Sequence, residues 1–321
     1  MDLARAPSSL LDCLVVGGGP AGLTAAIYLA RFRRDFRLLD NGDSRAALIP
    51  TSHNLAGFPD GIGGPALIER MKTHALKYGI ASISSTVSSL QRHAEGFFVA
   101  DLGTERLAAR TILLATGVVD REPDLPDLAG AIRRRLVRHC AICDGYEAIG
   151  HKIGVLGQGS GGLHEALFLK TYAIDITLLS LGAPLFLTEV ERGEATAAGI
   201  KCVEEPVGSV VVEDGHVRAL TLRSGACHTF DTLYSALGSD PRSDLARKAG
   251  AKLDRSGCVI TDEHQRTSVD GLFAAGDVVC GLDQISVAVG EAAIAATAIH
   301  NRLRGVRAPS SRWDSPTQVQ L

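Results

Sequence analysis

Apolar residues in this chain come in short continuous runs that end at glycine. Cys13-Leu14-Val15-Val16 is the first, followed by Gly17-Gly18-Gly19-Pro20-Ala21-Gly22 and by Leu23 to Ala30, which has helical composition. Lys152-Ile153-Gly154-Val155-Leu156 repeats the arrangement ahead of Gly157-Gln158-Gly159-Ser160-Gly161-Gly162 and a predicted helix over Leu163–Lys170. Short apolar runs bounded by turn residues are the pattern of strands buried on both faces. Phe36-Arg37-Leu38-Leu39, Thr111 to Gly117, Asp175 to Leu179 and Gly271 to Asp277 extend the set. Gln284-Ile285-Ser286 opens an apolar helix in which Ala292–Ile299 is predicted to be buried, too short to span a membrane. The pattern predicts an α/β protein with two Rossmann-like domains, each built on a parallel central sheet.

The 321 residues suffice for two hydrophobic cores, and 45% hydrophobic content with 35 glycines suits buried parallel strands. Net charge is −3 with basic and acidic residues interspersed, which argues against nucleic-acid binding. Arg133-Arg134-Arg135 with Arg138 is the densest basic stretch and reads as a solvated face. Met1 to Leu11 lacks a signal-peptide core and no apolar run reaches spanning length, so a soluble cytoplasmic protein is expected.

Each glycine turn has a physical role. In the first, Gly17 permits the tight turn, Gly19 lets a pyrophosphate approach backbone, and Gly22 lets helix pack on strand. The helix N-terminus then faces the phosphates with partial positive charge. Asp40, at the end of the next strand, is placed to bind ribose hydroxyls. By the same physics Gly157, Gly159 and Gly162 form a second phosphate turn. Its following strand, however, ends in Ser180-Leu181-Gly182-Ala183-Pro184-Leu185-Phe186. No acid stands there for a 2′-hydroxyl and no arginine for a 2′-phosphate. Arg192 or Arg223 would have to compensate.

Between the turns lies Cys140-Ala141-Ile142-Cys143-Asp144-Gly145. A lone CxxC is either a redox or a zinc pair. There is no second CxxC, and Cys202, Cys227 and Cys258 are scattered without ligand spacing, which disfavours zinc. A redox role needs a thiol with depressed pKa, which a helix N-terminus or a nearby protonated histidine such as His139 can provide. It also needs a proton for the leaving thiolate, and Asp144 is the candidate acid. Among the remaining cysteines, Cys13 is expected inside the first strand, and core packing is the expectation for Cys280.

The strand ends Ala115-Thr116-Gly117 and Gly276-Asp277, together with Cys140 to Gly145, resemble the flavoprotein disulfide reductases with two dinucleotide-binding domains. Low-molecular-weight thioredoxin reductases are the nearest group, and the resemblance covers nearly the whole chain. It implies FAD held by Gly17, Gly19, Pro20, Ala21, Gly22, Asp40, Arg45, Asn54, Val87, Ala115, Thr116, Gly117, Gly276, Asp277, Gln284, Ile285 and Ser286. It implies a pyridine nucleotide, NADP(H), at Gly157, Gly159 and Gly162. It further implies that Cys143 faces the flavin and Cys140 meets the substrate disulfide. Two departures stand out: the His-Arg-Arg cluster usual after the second turn is missing, and Gln284-Ile285-Ser286 replaces the usual Arg-Gln-Ala. Dithiol oxidases of the same group tend to place His after the second cysteine, where this chain has Asp144.

The resemblance therefore implies a homodimeric FAD-dependent disulfide oxidoreductase that reduces a thioredoxin-like protein or a small-molecule disulfide. NADPH, NADH, ferredoxin and reduced flavin all stay open as donors. A dithiol oxidase delivering electrons to oxygen, or a flavin-bound redox sensor without turnover, are the alternatives. Residues 1–117 are expected to begin the FAD-binding domain, with 118–241 inserted as the domain carrying the CxxC and the second turn. Residues 242–308 complete the first domain. Residues 309–321 form a Pro/Ser-rich tail whose Trp313 is a candidate shield for the flavin.

Overall fold

The computed structural model describes residues 10–122, 137–213 and 216–304. The tail with Trp313 and the Arg133–Arg135 cluster lie outside the described residues. The chain divides into two compact units, one of residues 1–47, 65–119 and 240–321, the other of residues 48–64 and 120–239.

The first unit is built on a seven-stranded sheet in the order Ile83–Ser84, Phe36–Asp40, Leu10–Val16, Arg106–Leu114, Phe98–Asp101, Ser89–Arg92. Leu272–Ala274 pairs with the far half of Arg106–Leu114. Five of these strands run parallel, and Phe98–Asp101 and Ser89–Arg92 add antiparallel partners. The strand expected at Thr111 starts earlier, at Arg106, because its first residues pair with Phe98–Asp101. Leu14, Val16, Leu39, Phe98, Ile112, Leu114, Leu272 and Ala274 form the core of this unit. Helices Pro20–Arg31 and Ile285–Leu303 pack together. Arg34, 1% exposed, ties the connection after the first helix to the C-terminal helix, donating from Nη2 to the His300 carbonyl at 2.8 Å.

The second unit has a five-stranded parallel sheet, ordered Lys201–Val203, Ile176–Leu179, Ile153–Gly157, Thr232–Ala236, Val137–Arg138. A three-stranded antiparallel sheet, Val207–Glu213, His216–Leu222 and Cys227–His228, completes it. Ile153, Val155, Leu163, Ala166, Leu178 and Tyr234 pack as its core. The helix expected from Leu163 begins at Gly159, so the turn glycines are already its first turn. The first unit behaves alike: its helix starts at Pro20, where a missing amide costs nothing. Residues 48–64 group with this second unit, whereas the sequence pattern left them with the first. Asn54 Nδ2 donates to the Ile142 carbonyl at 3.4 Å and His53 Nδ1 lies 3.9 Å from Glu147 Oε1.

Candidate active site

In the first unit the opening turn is shaped by close backbone approach. Gly17 has φ +113°, and a Cβ there would meet the Ala115 carbonyl oxygen at 2.1 Å. A Cβ on Gly22 would meet the Gly17 oxygen at 1.8 Å. Helix Pro20–Arg31 has Gly19 as N-cap, no side-chain cap and no acid in its first turn, so its first amides stay available to an anion. Asp40 is buried, and its Oδ1 accepts from the Gly18 amide at 3.2 Å and the Gly42 amide at 3.1 Å.

Other residues gather in the same unit. Arg45 Nη1 pairs with Asp277 Oδ2 at 3.0 Å and lies 3.7 Å from Asp283. The Gly276 amide donates to Glu291 Oε2 at 2.8 Å, and burial pushes the Glu291 carboxyl up. Thr116 Oγ1 donates to the Arg242 carbonyl at 2.7 Å, and the Arg242 amide donates to Gly117 at 2.9 Å. Gln284 caps helix Ile285–Leu303, which also lacks an acid in its first turn. Val87 is different: its side chain is buried in the hydrophobic core. Sequence reasoning missed Glu291 and Arg242, since both act through neighbours distant in sequence.

In the second unit Cys140 and Cys143 are joined by a disulfide, with Cα atoms 5.3 Å apart. Cys140 is the N-cap of the short helix Ala141–Asp144, and its Sγ accepts from the Cys143 amide at 3.1 Å. The Ala141 amide donates to Glu165 Oε1 at 3.0 Å. Burial pushes the Glu165 carboxyl up, the Ala141 bond opposes this, and Asp144 adds to it. Gly145 is required by packing: a Cβ would meet the Ala141 oxygen at 2.5 Å and the Tyr172 ring at 2.6 Å. His139 Nε2 lies 3.6 Å from Glu122 Oε2, an ion pair only when the histidine is protonated.

Asp144 points into a buried polar cluster. Tyr234 Oη donates to Asp144 Oδ1 at 3.0 Å and lies 3.2 Å from its carbonyl. Arg138 Nη1 donates to the same carbonyl at 2.7 Å and lies 3.5 Å from Oδ2. Burial pushes the Asp144 carboxyl above its ordinary range, while Arg138 and Tyr234 pull it back. Burial and the Asp144 charge push the Tyr234 phenol far up, so Tyr234 keeps its proton and acts as donor. Arg138 corrects the sequence expectation: its side chain is 9% exposed and serves Asp144, so it is not part of a solvated face.

The second glycine turn is engaged by the chain itself. The Gly159 amide donates to the Leu185 carbonyl at 2.7 Å, and Leu185 is fully buried. Ser160 Oγ donates to Glu191 Oε1. Glu191 also closes the capping box of helix Glu189–Ala197, accepting from the Thr188 amide at 2.7 Å. Arg192 pairs with Glu204 at 2.7 Å. Gly157 and Gly162 are in close contact, as the second turn requires: a Cβ on Gly157 would meet the Gly162 Cα at 2.9 Å.

The remaining cysteines divide. Cys13 is buried in the first strand, and burial raises its thiol pKa to about 12. Cys280 corrects its expectation: it is exposed, and with Cys258 and Asp254 it brings three ligand-type atoms within 4.8 Å of one another.

A family profile described as pyridine nucleotide-disulphide oxidoreductase matches residues 11–292. The chain is 32% identical over 278 residues to the thioredoxin reductase of Mycolicibacterium smegmatis, covering 84% of this chain and 88% of that protein. It is also 32% identical over 285 residues to the bifunctional thioredoxin reductase/thioredoxin of Mycobacterium leprae, covering 85% of this chain and 61% of that longer protein. The crystal structure of thioredoxin reductase from Streptococcus pyogenes MGAS5005 superposes with TM-score 0.85 at 27% identity, over 93% of this chain and 100% of that one. The two Rossmann-like units and the Cys140–Cys143 disulfide agree with these matches, and the chain belongs to the pyridine nucleotide-disulphide oxidoreductases, with a thioredoxin reductase-like fold.

Proposed function

We propose that the chain is an FAD-dependent disulfide oxidoreductase that passes two electrons through Cys140–Cys143 to a thioredoxin-like protein or a small-molecule disulfide. The residues of the first unit fit a flavin dinucleotide. The uncapped helix at Pro20 and the Gly17–Gly22 contact leave backbone amides for a pyrophosphate. Asp40 is oriented by two amides through Oδ1, and its second oxygen is the one a ribose hydroxyl would meet. Ala115–Gly117, Gly276 and Asp277 would line the ribityl chain, with Arg45 steering Asp277. Gln284, Ile285 and Ser286 present a helix N-terminus suited to negative charge at the isoalloxazine. Bound FAD supplies the two-electron store that the protein's own groups lack.

The observation that carries the reading is the closed Cys140–Cys143 pair with Asp144 held in a buried network. In the reduced dithiol, the Cys140 thiolate attacks the partner disulfide to form a mixed disulfide, and Cys143 resolves it. One disulfide is made and one broken, and the two leaving thiolates take up two protons. A carboxyl with raised pKa is suited to deliver one of them, directly or through water. Cys140 as N-cap places its sulfur at the positive end of a short helix, which favours its thiolate.

The second turn favours a donor other than a pyridine nucleotide. Its leading amide is bonded to Leu185 and its serine hydroxyl to a carboxylate, the charge least compatible with pyrophosphate. Reduced ferredoxin or a reduced flavin then supplies the electrons. The same observation supports a second reading, a dithiol oxidase that takes electrons from dithiols and passes them to oxygen. Parallel anaerobic titrations with NADPH, NADH, dithiothreitol and reduced ferredoxin separate these. Bleaching by ferredoxin, with catalytic disulfide reduction, supports the first; bleaching by dithiols alone, with oxygen consumption, supports the second. Rapid bleaching by micromolar NADPH overturns the account of the second turn. Homodimer formation and a cytoplasmic site belong to the same proposal; among the described residues no helix is long and apolar enough to cross a membrane.

A further inference from the structure

We propose that Asp254, Cys258 and Cys280 form a binding site for a borderline-soft divalent cation such as Zn²⁺, separate from the dithiol. The three ligand-type atoms lie within 4.8 Å of one another, although Cys258 and Cys280 are 22 positions apart in sequence. Backbone bonds bring them together. The Val259 amide donates to Val278 at 2.8 Å and the Cys280 amide donates to Val259 at 3.1 Å, a parallel bridge that centres Val259 opposite Val279. Cys258 and Cys280 flank that bridge on the same face.

Asp254 and Cys258 close a tight turn, with the Asp254 amide donating to the Cys258 carbonyl at 3.0 Å. Asp254 Oδ1 accepts from the Ser256 and Cys258 amides, both at 2.9 Å, and from Ser256 Oγ at 2.7 Å. The carboxylate is thereby oriented before any ion arrives. Ser256 Oγ also lies 3.2 Å from Cys258 Sγ, a further oxygen at the rim of the site.

A cation fits this cluster better than a second disulfide does. Cys258 precedes the bridged pair and Cys280 follows it, and neither is in a disulfide. Tetrahedral zinc asks for sulfur atoms about 3.8 Å apart, inside the 4.8 Å within which the three ligand-type atoms lie. Binding exchanges two thiol protons for one M²⁺, leaving two thiolates, one carboxylate and an open position for water. All three residues lie in the first unit, whereas Cys140 and Cys143 lie in the second.

The test uses full-length protein as purified, stripped by chelator, with Cys140–Cys143 oxidised so that its thiols do not compete. Cd²⁺ is the spectroscopic probe and Zn²⁺ the competitor. The expected result is a thiolate-to-cadmium ultraviolet band that saturates at one equivalent, is displaced by Zn²⁺, and accompanies protection of two thiols from a thiol-specific reagent. Cys258→Ser with Cys280→Ser should abolish the band, and Asp254→Asn should weaken binding by at least about tenfold. Cys202→Ser with Cys227→Ser should leave it unchanged, with far-ultraviolet circular dichroism confirming that each variant is folded. A band that survives in the Cys258/Cys280 variant overturns the site. So does non-reducing peptide mapping that finds these two cysteines joined.

Discussion

Tyr234→Phe is the most direct probe of how the proton near the dithiol is managed. Phenylalanine keeps the ring in the core and its face toward the Arg138 guanidinium, 5.8 Å from the ring centroid, and removes only the hydroxyl. What is lost is the 3.0 Å bond to Asp144 Oδ1. A hydrogen bond to an ionised group is worth about 1.5–3 kcal/mol. At about 1.4 kcal/mol per pKa unit, the Asp144 carboxyl, already raised by burial, should rise by roughly one to two units more. If protonated Asp144 delivers the proton, exchange with a small disulfide slows as pH climbs through that pKa. The break in a single-turnover pH profile should therefore move up by about one to two pH units in Tyr234→Phe and vanish in Asp144→Asn. Stability has a matching sign. A carboxyl whose folded pKa is raised contributes stability that is complete below its unfolded pKa and is lost as pH rises through the folded one. The hydroxyl favours the ionised form, so the destabilisation of Tyr234→Phe should be smallest in acid and grow towards neutral pH in urea titrations. An unmoved break together with a pH-independent stability loss would refute the coupling between Tyr234 and Asp144.

Three further perturbations test the local structure. Glu165→Gln keeps an acceptor for the Ala141 amide and removes a negative charge beside the CxxC helix. Worth on the order of 1 kcal/mol, the loss of that charge should make the dithiol more oxidising by about 20 mV in a glutathione redox titration; a more negative potential would contradict it. Gly145→Ala forces a methyl against the Ala141 oxygen and the Tyr172 ring and should cost about 1–3 kcal/mol, read as a lower melting temperature. Asp40→Ala removes the acceptor of the Gly18 and Gly42 amides and should lower flavin retention through gel filtration; undiminished FAD content would remove Asp40 from the site.

The sequence made the local parts of this fold readable because their physics is local. Glycine spacing, the apolar run before it and the helical run after it share one short window, so both turns and their strands were found at the right places. Helix starts were misplaced by three or four residues, at Leu23 and Leu163 rather than Pro20 and Gly159, because glycine and proline read as turn residues even inside a first helical turn. The proton network was invisible for the opposite reason. Tyr234 reaches Asp144 across 90 positions because its strand pairs beside Val137–Arg138 in the parallel sheet. Arg138, near three other arginines in sequence, is turned inward by that same pairing. Cys258 and Cys280 meet only through the bridge at Val259, which no ligand spacing announces.

The two glycine turns show why a motif and a site are different things. Both follow a buried strand, both open a helix without a side-chain cap, and both have close glycine contacts at the crossing. They part company in what comes next. After the first turn, the strand ends in Asp40, whose oxygen is held by the Gly18 and Gly42 amides while the helix amides stay available. After the second, the strand ends at Leu179 and the chain returns through Leu185 and Glu191, engaging Gly159 and Ser160. A pyrophosphate entering there would compete with the Leu185 carbonyl for the Gly159 amide and approach the Glu191 carboxylate. Retaining the glycines is still expected, since strand and helix cannot approach this closely with a Cβ between them. Close strand–helix packing by itself therefore accounts for the glycines of both turns, whatever each turn binds.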